Sequence, residues 1–289
     1  MKTKWFVEDV WKFSPNDKDY AERFLLENDL NIAKRRLAEN KSLIARCDLV
    51  KDEVSYSLND FGFRCDDFTD INQEERIFIF VGCSFTFGSA VRKQDTWAFK
   101  AHEIISSHYP NEKIRFINLG WPGSGLDYSA RILLNFCSWF NVKKLNGVFC
   151  LCPSLRRFEI PMSINTTPNI FAHHFPNINI DDDNFELMQI AKAKRDLIQN
   201  DNFCLNEAVK SVNQIKLLCQ ALGCEPTFGF MDNQDDRAIV DHLIKSTSIQ
   251  DNLFKECRYD LTNDYGIDYL HPGPRWHSQF VEYNLDRFK

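Results

Sequence analysis

Several features that assign a chain to a broad class are missing from this sequence. The 289 residues contain no basic block and carry a formal net charge of −6, so the electrostatic signature of a nucleic-acid-binding protein is absent. The longest apolar runs, such as residues 77–83, are too short to span a bilayer. Residues 1–14 lack the apolar stretch of a signal peptide. We therefore expect a cytoplasmic protein with no nucleic-acid partner and no membrane partner.

The ten cysteines also lack the spacings of a metal site or a disulfide framework. The chain contains no CxxC pair and no Cys/His pattern typical of zinc. Several cysteines, such as Cys150 and Cys152, lie inside apolar runs. Because no export signal is present, we expect reduced thiols that mostly pack as small apolar side chains, and we predict no metal ion.

The composition is that of a globular protein, with 44% hydrophobic and 26% charged residues. The length suits one large domain, or one domain with an extension. Apolar residues at helical spacing predict a helix over residues 21–50, and an aromatic, turn-rich segment at 56–68 is expected to pack on the main domain. We therefore predict a helical N-terminal extension over 1–75 and an α/β domain over 76–289.

From residue 76 onward, short apolar runs alternate with amphipathic stretches. Strands are predicted at 77–81, 114–118, 147–152 and 227–231, and helices at 96–108, 126–140 and 206–222. Such alternation, with strands apolar on both faces, is typical of a parallel sheet covered on both sides. We predict a three-layer α/β/α fold with a mostly parallel central sheet. An insertion at about 158–205 has the length of a lid or binding loop.

In an open parallel sheet, ligands bind beyond the carboxyl ends of the strands, so the residues that follow each strand are the functional candidates. Ser84 follows the first strand in a turn flanked by glycines, and a glycine-rich loop at 118–125 follows the second. A serine hydroxyl becomes a nucleophile when a base takes its proton. Asp268 and His271, three residues apart, are expected to share one face of a helical turn and to supply a base and an acid. Each signal alone is more often a turn or surface feature, whereas their order along the strand ends favours a catalytic site.

Three stretches of the chain resemble the sequence blocks of the SGNH, or GDSL-like, hydrolases. Residues 82–88 (Gly-Cys-Ser-Phe-Thr-Phe-Gly) resemble the first block, 118–123 (Asn-Leu-Gly-Trp-Pro-Gly) the second, and 268–271 (Asp-Tyr-Leu-His) the last. The resemblance covers about residue 76 to the C-terminus. A lead-in at 59–68 resembles that of some bacterial and phage-encoded members. Association with a virion is the alternative location if the chain is phage-encoded.

The resemblance implies a flavodoxin-like SGNH fold and a role for each matching residue. It makes Ser84 the nucleophile, His271 the general base, and Asp268 the residue that orients His271. It also implies an oxyanion hole formed by the backbone N–H groups of Ser84 and Gly123, with no cofactor.

The chain departs from the family pattern in two places. Cys83 stands where the family has an aspartate, so a turn-stabilising hydrogen bond is expected to be missing. The asparagine of the third block, which helps to hold the oxyanion, is also absent. Ser154 lies nearest to that position and is predicted as a third donor, with Arg156 or Arg157 as the alternative. Arg157 and Trp121 are also predicted to contact substrate.

The resulting hypothesis is a serine esterase that cleaves an acyl ester, in the first instance an acetyl ester on a carbohydrate. Two alternatives stay open at this stage: a non-catalytic carbohydrate-binding or structural protein on the same fold, and an O-acyltransferase. The expected partner is a small-molecule or carbohydrate ester, and the oligomeric state is undetermined. Four other features have a possible functional role: His277 as a base, Trp276 as a stacking surface, His173–His174 as ligands, and 181–183 as a calcium loop. For each of them, a structural or solvent-exposed role is at least as good an interpretation.

Overall fold

A computed structural model describes residues 18–49, 53–68, 71, 75–164, 167–172, 200–231, 236–255 and 264–289. The strands are β1 (Arg76–Gly82), β2 (Ile114–Asn118), β3 (Gly147–Cys152), β4 (Ile160–Ile164), β5 (Thr167–Ala172) and β6 (Pro226–Phe230). The α-helices are α1 (Lys18–Glu39), α2 (Ser84–Phe87), α3 (Trp97–His108), α4 (Leu126–Trp139), α5 (Asp201–Ala221), α6 (Arg237–Thr247) and α7 (Pro274–Tyr283). Short 3₁₀ turns occur at Lys41–Arg46, Lys93–Asp95, Gln250–Asn252 and Leu285–Arg287.

Four parallel strands form the central sheet in the order β2-β1-β3-β6. This order is that of the flavodoxin-like doubly wound sheet, in which the chain leaves the first strand on one side and returns on the other. The predicted parallel α/β fold is therefore confirmed. The change of direction lies at β1 and β3, which is where such sheets bind their ligands.

Helices cover both faces of the sheet. The connection from β1 to β2 and the connection from β2 to β3 run in opposite directions, so right-handed crossovers place α3 on one face and α4 on the other. The helix α3 packs beside α7, whereas α4 packs beside α5, which in turn packs beside α6. The result is the three-layer arrangement that the sequence predicts.

The core beneath α3 and α7 is strongly aromatic. Phe80 in the centre of β1 is fully buried, and its ring contacts Trp97 edge-on at 5.5 Å between centroids and Phe149 at 5.3 Å. Rings of this size bury enough apolar surface to hold both layers together. The carboxyl ends of the strands are therefore supported by a closely packed core.

The N-terminal segment shares this core instead of standing apart from it. Phe68 is fully buried and its ring meets Phe136 of α4 at 5.1 Å. The helix α1 ends earlier than predicted, at Glu39, because the Asn40 side chain accepts a hydrogen bond from the Ser42 N–H at 3.1 Å and starts a 3₁₀ turn. A side chain that bonds to the backbone in this way competes with continuation of the helix.

Part of the predicted insertion is a hairpin in which β4 and β5 pair antiparallel. Residues 173–199 of that insertion, with His173–His174 and 181–183, lie outside the described residues. In the described part of the chain, every helix is too short or too polar to cross a bilayer.

Candidate active site

Asp268 and His271 form a buried pair. The Nδ1 atom of His271 lies 2.5 Å from Oδ2 of Asp268, and the Asp268 side chain is fully buried. Burial alone would lower the pKa of His271, but the charge and hydrogen bond of Asp268 outweigh it, and the pKa is raised above its ordinary value. Burial likewise opposes ionisation of Asp268, yet His271 holds the pKa of that carboxyl below its ordinary value. The pair is therefore built to keep a carboxylate against the imidazole.

The turn that holds this pair differs from the helical turn predicted for 268–271. Oδ1 of Asp268 accepts the backbone N–H groups of Leu270 and His271, both at 3.0 Å. Tyr269 has a φ of 57°, in the left-handed region. An aspartate that caps its own turn in this way is an Asx-type motif. The two carboxylate oxygens thus divide their tasks: one holds the turn, and the other faces the imidazole.

Ser84 is the first residue of the one-turn helix α2, directly beyond β1. Cys83 is the N-cap of this helix, and Gly88, which has a φ of 81°, is its C-cap. The Cys83 side chain makes no capping hydrogen bond, and its Sγ lies 3.7 Å from Sδ of Met231. The first hydrogen bonds of this turn are donated by the N–H groups of Thr86 and Phe87 to the Cys83 carbonyl. As at the start of any helix, the N–H of the first residue has no partner within the helix, and the Ser84 N–H donates to no backbone carbonyl of the described residues. This leaves a free donor beside the Ser84 hydroxyl.

The Ser84 hydroxyl and His271 lie on adjacent parts of the site but are not bonded to each other. Among the described residues, the polar contact of Ser84 Oγ is Sγ of Cys83, at 4.0 Å. The ring of the next residue, Phe85, stands edge-on to the His271 ring with 6.0 Å between centroids. Since His271 uses Nδ1 for Asp268, Nε2 is the nitrogen left to accept a serine proton.

The loop after β2 is tied to the end of β1. The Asn118 side chain donates to the Thr86 carbonyl at 2.7 Å and accepts the Gly120 N–H at 2.9 Å. The Trp121 N–H donates to the Gly82 carbonyl at 2.9 Å, and the Ser124 hydroxyl donates to the Trp121 carbonyl at 2.8 Å. Gly123 has a φ of 80°, and among the described residues its N–H has no backbone acceptor. The loop therefore presents a second free N–H next to α2, as the predicted oxyanion hole requires.

Ser154 is engaged elsewhere. Its hydroxyl donates to Oδ2 of Asp236 at 2.7 Å, and the same oxygen accepts the Leu155 N–H at 3.1 Å. A hydroxyl has one proton, so in this arrangement Ser154 does not also donate to an oxyanion. The predicted third donor is thus absent from this conformation. Asp236 is not among the residues predicted from sequence, although it follows the end of β6, where the same rule about strand ends would have identified it.

Arg157 and Trp121, the predicted substrate contacts, differ in exposure. Arg157 is half-buried, its charge opposes protonation of His271, and no described residue accepts a hydrogen bond from its guanidinium. Trp121 is nine-tenths buried and its ring packs edge-on against Phe87 at 5.4 Å. Trp121 therefore contributes mainly to the wall of the site, whereas Arg157 supplies a cation near His271.

The alternative base His277 has a structural role. Its Nδ1 accepts the backbone N–H of Trp97 at 3.1 Å, and its ring is buried. Burial lowers the pKa of His277 to about 3, so the ring stays neutral at ordinary pH. Trp276 stacks on Phe280 at 5.3 Å, which makes it part of the core. Across the described ranges, no cluster of His, Cys, Asp and Glu has the geometry of a metal site.

Gly82, at the end of β1, is expected to be essential for folding. It has a φ of 149°, and a Cβ there would lie 2.4 Å from Thr86 Oγ1 and 2.5 Å from the Leu151 carbonyl oxygen. Strain and overpacking together predict that Gly82→Ala lowers the free energy of unfolding by about 3 kcal/mol or more. Gly223→Ala is the matched control, because Gly223 also has a positive φ but a Cβ there would have no other atom within 4 Å. It should cost about 1 kcal/mol. Equal losses for the two variants in urea unfolding would contradict this account of Gly82.

The fold of this chain is similar to those of several solved structures. No family model and no curated protein matches the chain. Among solved structures, the psychrotrophic esterase EstA from a Pseudoalteromonas species matches at 10% identity over 73% of this chain and 96% of its own, with a TM-score of 0.43. A lipolytic G-D-S-L family protein from Veillonella parvula matches at 11% identity over 73% and 97%, with a TM-score of 0.41. Axe2, an acetylxylan esterase from Geobacillus stearothermophilus, matches at 14% identity over 75% and 96%, with a TM-score of 0.42. Similarity at this level carries no argument about chemistry, which rests on the side chains described above.

Proposed function

We propose that the protein is a serine esterase of the SGNH type that cleaves an acyl ester, in the first instance an acetyl ester on a carbohydrate. One observation carries the proposal: the buried pair of His271 and Asp268, with 2.5 Å between Nδ1 and Oδ2, lies beside the helix that begins with Ser84. A neutral imidazole with one nitrogen held by a carboxylate is the arrangement that activates a serine hydroxyl.

In the proposed reaction, Nε2 of His271 takes the Ser84 proton as Oγ attacks the ester carbonyl. The tetrahedral intermediate collapses as His271 gives the proton to the leaving alcohol, and water then hydrolyses the acyl-enzyme with His271 again as the base. Asp268 keeps the imidazole oriented and stabilises its charged form. The step requires the Ser84 hydroxyl to leave the Cys83 sulfur and turn toward Nε2. Catalytic hydrogen bonds commonly tighten only when substrate is bound.

The oxyanion would be held by two backbone donors, the N–H groups of Ser84 and Gly123. Both lack backbone acceptors among the described residues. Because Ser154 donates to Asp236, the third donor of the family pattern is not supplied from that position. Loss of one oxyanion donor typically lowers turnover by about 10²–10³-fold. We therefore propose a slow esterase, with Arg157 as the residue that contacts polar oxygens of the substrate and Trp121 as part of the wall.

The rate at which a fluorophosphonate labels Ser84 should depend on the protonation of His271. Labelling needs the neutral imidazole as base, and Asp268 raises the pKa of His271. The group is protonated below its pKa, so the rate should fall as pH is lowered, with a midpoint above about 6.5, the ordinary value for histidine. The measurement is the rate of adduct formation across the pH range, with mass spectrometry of the peptide that contains Ser84.

Two results would oppose the proposal, and they do so differently. A rate that stays flat down to about pH 4 would exclude His271 as the base. Absence of any adduct at Ser84 would favour the second candidate, a non-catalytic carbohydrate-binding protein on the same fold. The engagement of Ser154 by Asp236 is the observation in favour of that candidate, because it removes an element of the catalytic machinery.

A further inference from the structure

The N-terminal helix α1 and the 3₁₀ turn after it contact the turn that carries Asp268 and His271. The Arg36 side chain donates from Nε to the Tyr269 carbonyl at 3.3 Å. The Tyr265 N–H donates to the Arg46 carbonyl at 2.8 Å. One of these hydrogen bonds is made by Tyr265 and the other by Tyr269, on either side of Asp268. The N-terminal segment is therefore hydrogen-bonded to the turn that holds the proposed base.

Asp29 lies at the centre of this contact. It is an α1 residue with 4% of its surface exposed, and it accepts a short hydrogen bond from the Tyr56 hydroxyl. The Tyr56 oxygen in turn accepts the Ala90 N–H at 2.7 Å. The Ala90 carbonyl accepts the Ile267 N–H at 2.9 Å. A continuous series of buried contacts therefore runs from Asp29 to the residue immediately before Asp268.

Ala90 makes this connection rigid. It is fully buried with a φ of 65°, a conformation that costs a non-glycine residue energy and persists only where its surroundings hold it. A Cβ on Gly266 would lie 2.7 Å from the Ala90 Cβ, so the two backbones are in close contact. Hydrogen bonds and close backbone contact therefore join Tyr56 and Ala90 to the 264–268 segment.

The Asp29 carboxyl also acts on the Asp268–His271 pair through its charge. The titratable and charged groups that face it are Tyr56 and Arg64 from the 53–68 segment, and Asp268 and His271 from the turn. Burial, followed by the charge of Asp268, raises the pKa of Asp29 to about 7. In its ionised form Asp29 raises the pKa of His271. A second carboxyl that changes its charge near neutral pH therefore lies within electrostatic reach of the proposed base.

We propose that Asp29 is a positioning residue of the active site, which, through Tyr56 and Ala90, holds the turn bearing Asp268 and His271 and, when ionised, adds negative charge near His271. The kinetic consequence of this inference rests on the proposed esterase function. The positional and electrostatic consequences do not, because they can be measured on His271 directly.

The direct test is the titration of His271 in the full chain, followed by histidine NMR. Asp29→Asn replaces an ionisable group by a neutral one of the same shape, so the midpoint of His271 should move to lower pH. Glu22→Gln is the matched control: Glu22 lies on the same helix, but its carboxylate accepts the Leu58 N–H at 2.7 Å instead of facing the turn. The control should leave the His271 midpoint in place. An unchanged midpoint in Asp29→Asn would overturn the proposal.

The kinetic test separates positioning from mere stability. Asp29→Ala should lower kcat for a simple acetyl ester by about tenfold to a hundredfold with little change in KM, because a displaced base reduces the fraction of reactive geometries. Asp29→Asn should recover most of that loss, since its amide oxygen still accepts from Tyr56. Equal losses in both variants would contradict the positioning role.

Two further measurements keep the outcomes distinguishable. If Asp29→Ala fails to fold, Tyr56→Phe removes the same series of bonds while keeping the ring that packs on Phe87. This variant should also lower kcat, and wild-type kcat would overturn the role of the series. If the wild-type protein hydrolyses no ester while the His271 midpoint still shifts in Asp29→Asn, the proposed function fails and the coupling of Asp29 to His271 stands.

Discussion

Replacing Ser84 by alanine is expected to lower the turnover of a simple acetyl ester by about 10⁴-fold or more, the scale seen when the nucleophile of a serine hydrolase is removed. The reason is that alanine has no oxygen to attack the ester carbonyl and carry the acyl group. The cost to stability should be small, because within the described residues the hydrogen-bonding partner of the Ser84 hydroxyl is the Cys83 sulfur, at the long distance of 4.0 Å. The measurements are kcat with a chromogenic acetyl ester and the midpoint of urea unfolding.

The matched control for this experiment is Ser89→Ala, the same chemical change just beyond the end of α2. Ser89 is buried and lies close to the site, but it has no role in the proposed reaction. Turnover in that variant should stay near the wild-type rate. Unchanged turnover in Ser84→Ala itself would refute the assignment of the nucleophile, and with it the esterase mechanism.

Asp268→Asn is expected to have the second large effect, a loss of about 10⁴-fold in kcat, as for the carboxylate of other serine triads. The amide keeps an oxygen that can accept the N–H groups of Leu270 and His271, so the turn should survive. It also places an NH₂ group against Nδ1 of His271, where the carboxylate oxygen lay at 2.5 Å. The imidazole must then adopt the other tautomer, in which Nε2 carries a proton and cannot accept one from Ser84.

Asp264→Asn provides the control for this loss. Asp264 is also buried, and its Oδ2 accepts the N–H groups of Arg275 and Trp276 at 2.7 and 3.1 Å, but it does not contact His271. Its replacement should lower stability more than it lowers kcat. If Asp268→Asn retains most of the wild-type kcat while the unfolding midpoint is unchanged, the orienting role of Asp268 is wrong.

The structure gives the N-terminal extension a definite place in the molecule. The contacts of Arg36, Arg46 and Asp29 show that it lies against the turn that holds Asp268 and His271. This arrangement accounts for the burial of Asp268 at a turn in which Leu270 is exposed.

The sequence by itself determined the elements of the fold. Apolar runs with turn residues at their ends identified the strands of the sheet, and helical periodicity identified α3, α4 and α5 to within a few residues. These patterns are readable because periodicity and capping are local properties of the chain. Two local predictions were wrong. The predicted continuation of α1 to residue 50 failed because the Asn40 side chain bonds to the backbone and ends the helix. The predicted helical turn at 268–271 failed because Asp268 caps its own turn.

The proximity of Asp268 to His271 was also accessible from sequence, because the two residues are three apart. The tertiary structure alone decided which polar groups far apart in the chain meet. Asp29 faces the turn at 268–271, and Asp236 accepts a hydrogen bond from the Ser154 hydroxyl, although neither partner is near in sequence. Such encounters depend on how the layers pack, and the same side chains in another packing would be solvated and independent. Local patterns thus specify the strands, helices and turns, whereas the charges and hydrogen bonds that tune the site arise only when burial brings distant groups together and removes the water between them.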